Sequence, residues 1–133
     1  MKNIRVLVVE PMEIPKVRYI PCNAEFITNM FNDDCANNTD VIVIDKNVGI
    51  VRNKNGALFD LRGNRKVNDE IIAGTFLIVG IDDRGFIASL SVTDMLKYTE
   101  RFRNIEIYTD KEVRESYWRK FEESINEMEE CLK

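Results

Sequence analysis

The sequence predicts an α+β domain: a mostly antiparallel sheet of hairpins with helices packed on one side and a long C-terminal helix. Three observations predict it. Short runs rich in Val and Ile, at 4–9, 41–44 and 71–81, have the length and composition of strands. Turn signals follow them closely, at Pro11 and Pro15, Asp45-Lys46-Asn47, Asn55-Gly56 and Asp82-Asp83-Arg84-Gly85, leaving room for hairpins but not for helical crossovers. Helical spacing of apolar residues is confined to a short stretch after Asn23 and to the chain beyond Ser91.

The elements follow in order. Ile4 to Val9 is nearly continuous in hydrophobicity, which suits a central strand covered on both faces. Lys16-Val17-Arg18-Tyr19-Ile20 alternates with period two and reads as its half-exposed hairpin partner. Asn23 can cap a short helix through Phe31 that turns Phe26, Ile27, Met30 and Phe31 to one side, and 32–39 is a polar connector. Val41 to Ile44 reads as a buried strand, Val48 to Val51 as its return, and Ala57-Leu58-Phe59 as a further arm after Asn55-Gly56. Residues 61–70 read as a loop, Ile71 to Ile81 as one strand with Gly74 marking a bulge or close approach, and Phe86-Ile87-Ala88 as a short return. Ser91 with Asp94, and Thr109 with Glu112, have capping-box spacing. The first of these helices turns Val92, Met95, Leu96, Thr99 and Phe102 inward. The second repeats Val113, Tyr117, Phe121, Ile125, Met128 and Leu132, and at 1.5 Å per residue it is long enough for its distal half to project. The organisation is a core at 1–103 and a helical extension at 104–133, packed on or projecting from that core.

Composition narrows the chemistry. At 133 residues, 44% hydrophobic and 32% charged, the chain fits one domain able to bury a core without disulfide or metal staples. There is no histidine, which excludes Ser-His-Asp and Cys-His nucleophile systems and any zinc site that uses imidazole. Cys22, Cys35 and Cys131 are an odd, scattered set expected to be reduced thiols. No apolar run approaches a membrane span and the N-terminus is not a secretion signal, so a cytoplasmic setting with no membrane partner is expected. Net charge is only −4, but 51–66 carries five cations against Asp60 alone, and 122–130 carries five glutamates with no cation. Asp33-Asp34 and Asp82-Asp83 fall in turns, where Asp serves local hydrogen bonding.

The order Val8-Val9-Glu10-Pro11, Asn64-Arg65, Ile71-Ile72-Ala73-Gly74-Thr75-Phe76 and Ser89-Leu90-Ser91, leading to Tyr98 and Phe102, resembles a family. It is a small domain-of-unknown-function family of bacteriophages, plasmids and mobile elements of Gram-positive bacteria. The likeness spans about residues 3–103, with Gly74-Thr75 its most specific part, and stops before the final helix. Arg62-Gly63 stands where members carry prolines. The resemblance implies a mobile-element accessory protein and no particular reaction.

Two sets of residues are candidate sites. Arg62, Gly63, Asn64, Arg65 and Lys66 combine backbone freedom with three cations, the requirements of an anion-binding loop. A plain surface loop, with Arg65 paired to Asp69 or Glu70, accounts for the same residues. Ala73-Gly74-Thr75 is the small-residue patch where a ligand could touch the sheet. Tyr117, Trp118 and Phe121 spread aromatics over more than one helix face, as a protein-binding surface does, or as a core edge does. The functional expectation is a non-enzymatic binding protein, without cofactor or metal, that engages a protein of the bacterial host and inhibits a defence or regulatory factor. Homodimerisation through the C-terminal helix is a further expectation. The alternative is a module for a small anion, nucleotide or nucleic acid at 62–66, nucleic acid being the less favoured.

Overall fold

The computed structural model describes residues 2–31 and 39–131; the 32–38 part of the expected polar connector, Cys35 and Leu132 lie outside them. The fold is α+β, and every strand pairing in it is antiparallel. Strands β1 (Asn3–Val9) and β2 (Lys16–Pro21) form the expected hairpin, with Leu7 opposite Val17. Strands β3 (Thr39–Asp45) and β4 (Val48–Asn53) form a second, closed at Lys46-Asn47, where Asn47 takes φ 63°. A small sheet joins β5 (Gly63–Val67) to β6 (Glu70–Ala73). Strand β7 (Phe76–Ile81) sits at the centre of the main sheet, whose order is β2-β1-β7-β4-β3, and β8 (Ile87–Ala88) pairs with β7 after the Asp82–Gly85 turn. In that turn Asp82 Oδ1 accepts from the backbone of Arg84 and Phe86, the local role expected of it.

Alternation along β1 and β7 divides the core in two. Leu7, Val9, Phe76 and Ile78 face one way, with Tyr98 and Phe102; Ile4, Val6, Val8, Leu77 and Val79 face the other, with Ile27. The helices α1 (Ala24–Asn29) and α2 (Val92–Arg101) therefore cover opposite faces of the sheet, not one side as expected. Phe102 meets Phe76 edge-on at 5.5 Å between centroids and stacks on Tyr98. The caps predicted for α1 and α2 are made: Asn23 Oδ1 accepts from Phe26 N–H, and Ser91 Oγ from Asp94 N–H. The inner face of α2 is Met95, Tyr98 and the following Phe102, whereas Val92 and Leu96 are exposed.

Three strand assignments change. The stretch 57–59 is not a hairpin arm but part of a 3₁₀ turn, Gly56–Phe59. A Cβ on Gly56 would lie 2.5 Å from the Ala73 carbonyl oxygen, so this turn is pressed against β6. The expected loop 61–70 is mostly strand, because Asn68 and Asp69 both adopt positive φ (51° and 65°) and fold 63–73 into a tight hairpin. The expected single strand 71–81 is two strands in different sheets, separated at Gly74, where φ is +86°. Among the described residues β3 stands at the sheet edge, so Val41 and Val43 are exposed and not buried.

The last helix, α3 (Asp110–Cys131), starts at the predicted box: Thr109 N–H donates to Glu112 and Glu112 N–H to Thr109 Oγ1. Its first half lies on the β5–β6 hairpin. Val113 packs with Ala57 and Ala73, and Ser116 Oγ accepts from Ile71 N–H at 2.9 Å. From Phe121 to Cys131 every residue is exposed.

Candidate functional site

The five residues proposed for an anion loop do not stand together at the surface. They enter β5, whose pleat sends neighbours to opposite sides, and Gly63, Asn64 and Arg65 are buried, the last two at 0% exposure. Asn64 Nδ2 donates to the carbonyls of Val9 (2.8 Å) and Gly74 (3.0 Å). Arg65 donates from Nε and Nη2 to the Phe102 carbonyl (3.2 and 2.8 Å), from Nη2 to the Glu13 carbonyl (2.8 Å), and from Nη1 to Asn64 Oδ1 (2.8 Å). It pairs with neither Asp69 nor Glu70, so both roles considered for it give way to a structural one. Burial pulls its pKa down, while the nearby Glu106 and Tyr108 act the other way. The guanidinium sits at the C-terminal end of α2, where the helix dipole is negative and Phe102 is the C-cap. One side chain thereby ties together the turn after β1, the hairpin and α2.

The rest of the basic stretch is also divided. Arg52 bridges the two sheets, pairing with Asp40 of β3 at 3.1 Å and with Glu70 of β6. Burial opposes its charge, but those two carboxylates outweigh it and raise its pKa. Lys54, Arg62 and Lys66 are exposed. The backbone N–H of Lys66 donates to Glu106, whose carboxylate also accepts from the Tyr108 hydroxyl. Burial, and then that bond, push the Tyr108 hydroxyl up to about 12.

Two hollows flank this framework. A groove of about 400 Å³ runs between Arg52, Glu70 and α3, with Ile42 and Val67 on its floor and Tyr117 and Phe121 on its wall. Tyr117 belongs to the hairpin side, its hydroxyl 3.1 Å from Asn55 Oδ1. A smaller cavity of about 270 Å³ opens where β6 gives way to β7, lined by Asn53, Arg62, Gly74 and Thr75 with Met30 and Phe31. It includes the Gly74-Thr75 patch and one of the five predicted residues, Arg62; Lys66 is not among its lining residues. Asn53 went unremarked in the sequence, since nothing in a polar residue before a turn signals burial.

On α3 the predicted aromatics separate into two roles. Tyr117 is part of the packing, while Trp118 is 48% and Phe121 49% exposed, each meeting its neighbour ring edge-on. Ile125 (39%) and Met128 (65%) continue that row along the exposed half. Among the described residues no group of three His, Cys, Asp or Glu side chains is placed to hold a metal ion, and no helix is long and apolar enough to cross a membrane.

The architecture thus defines an α+β domain whose sheet and accessory hairpin are locked by Asn64 and Arg65, followed by a partly packed helix. Residues 4–103 match the model of a family described as a domain of unknown function, DUF3846, and the chain belongs to that family. The matched region ends one residue after the carbonyl that Arg65 grips. No curated protein and no solved structure gives a match.

Proposed function

We propose that the chain is a non-enzymatic accessory protein of a mobile genetic element, and that it acts by docking α3 onto a helix of a host defence or regulatory protein. One observation carries this reading. Every residue from 121 to 131 is exposed, and Phe121, Ile125 and Met128, with Trp118 before them, recur there at intervals of three and four. That spacing keeps them on one stripe, the pattern by which an amphipathic helix meets a partner.

Charge specifies the partner further. Glu122, Glu123, Glu127, Glu129 and Glu130 crowd the end of α3 and its last turn has no cation, so these carboxylates face the unfavourable end of the helix dipole. A partner helix with Lys or Arg beside its apolar row covers the exposed stripe and meets these acids, of which Glu123 already has Lys120 at 3.8 Å. The test is affinity capture from host lysate with the native chain and with Phe121→Glu/Ile125→Glu, both surface positions. The reading expects a basic-flanked helical protein retained by the first and lost from the second. An identical captured set from both would defeat it.

A further inference from the structure

The cavity at the β6–β7 break has a chemistry independent of α3. Asn53 is 4% exposed; its Oδ1 accepts from Asn55 N–H at 2.9 Å, but its Nδ2 has no partner. The bond to Asn55 fixes the orientation of the amide, so the orphan is a donor and needs an acceptor. A buried donor left unpaired costs about 1–3 kcal/mol, and each such group in a native structure calls for a water, an ion or a ligand. Arg62, in the same cavity wall, is exposed and forms no ion pair with a described carboxylate within 4.0 Å. Thr75 adds a hydroxyl, and Met30, Phe31, Pro11 and Leu61 make the remaining wall apolar.

We propose that this cavity binds a carboxylate carried on a compact apolar group, with Arg62, Thr75 and the Asn53 amide as donors to its oxygens. A single cation matches a singly charged anion and leaves a phosphate dianion under-compensated. The volume of about 270 Å³ is just below the range of ordinary ligand pockets, so the occupant is small. The Asn53 nitrogen is itself buried, so a lining side chain must shift for it to reach an oxygen, and Met30, with three rotatable bonds, is the most adaptable of them. Gly74, with φ +86°, carries no Cβ in the cavity wall, and a methyl there would already meet Leu61 Cδ1 at 2.8 Å. The same chemistry is presented by a free organic acid and by the C-terminal residue of a peptide.

The experiment titrates the full chain, followed by amide chemical shifts, with 3-phenylpropionate and with a short peptide ending in free phenylalanine. The amidated peptide and 3-phenylpropanamide serve as uncharged controls. Saturable shifts at 53, 62 and 74–75 are expected for the acids, at least tenfold weaker in Arg62→Ala and weaker again in Arg62→Ala/Thr75→Val. A stronger response to the peptide assigns the site to chain termini, and a stronger response to the small acid assigns it to metabolites. Equal binding of the amides, unchanged affinity in both variants, or no saturable shift with either acid would each overturn the proposal.

Discussion

Replacing Arg65 by Met is the perturbation that tests the framework most directly. Met fills much of the same space but donates nothing. It leaves the Phe102 carbonyl and Asn64 Oδ1 without these buried donors and removes a part-buried bond to the Glu13 carbonyl. Two buried acceptors at about 1–3 kcal/mol each give roughly 2–6 kcal/mol. Relief of a guanidinium buried without a carboxylate offsets part of this, so the expected net loss is about 2–4 kcal/mol. Against a total of roughly 5–15 kcal/mol for a domain, that is a large fraction. Urea unfolding followed by far-UV circular dichroism measures it. Arg65→Lys should lose most of the same amount, because one ammonium lacks the planar fork that spans these acceptors. Arg62→Met, three residues away but exposed, should change stability by no more than about 0.5 kcal/mol. A loss below about 1 kcal/mol in Arg65→Met would refute the claim that this side chain locks the fold.

Three further outcomes are expected. Asp45 accepts from Lys97 and Tyr98 and is held at about 2, chiefly by the Lys97 bond, below its ordinary 3.8. A depressed folded-state pKa stabilises above 3.8 and loses that contribution as pH falls from there to about 2, so Asp45→Asn should flatten this part of the acid-unfolding curve; parallel curves would contradict it. Gly74→Ala forces an L-residue into positive φ against Leu61 and should cost about 1–2 kcal/mol by thermal unfolding, an unchanged midpoint being the contrary result. Ending the chain after Lys120 should alter stability by less than about 0.5 kcal/mol, since 121–131 is exposed; ending it after Tyr108 removes Val113 and the Ser116 bond to Ile71 and should be plainly destabilising by the same measurement.

What could be read from the sequence was mostly local. The β1–β2 hairpin, the Asn23, Ser91 and Thr109 caps and the exposed distal half of α3 follow from neighbouring residues alone. The β5–β6 hairpin reads as a loop because two of its buried residues are Asn64 and Arg65, which invert the usual link between polarity and exposure. Its turn, Asn68-Asp69 between Val67 and Glu70, was a usable signal that the cations obscured. The 71–81 run looked like one strand because a strand buried on both faces has no period to mark where it changes sheet. The edge position of β3 depends on which strands are its neighbours, and its own Val-Ile repeat cannot show that. Of the candidate site, Arg62 and Gly74-Thr75 were visible, but Asn53 was not. Apart from Asn64 Oδ1, the acceptors of Arg65 are backbone carbonyls at 13 and 102, which any residue would provide.

The grip of Arg65 on Phe102 also sets an order of events during synthesis. Strand β7 must find β1 across some seventy residues, the kind of long-range pairing that makes folding slow, and neither α2 nor the guanidinium can be satisfied until residue 102 has left the ribosome. Helix α3 is thus made last, and its packing of Val113 and Ser116 on the β5–β6 hairpin follows the segment that carries the Arg65 acceptor.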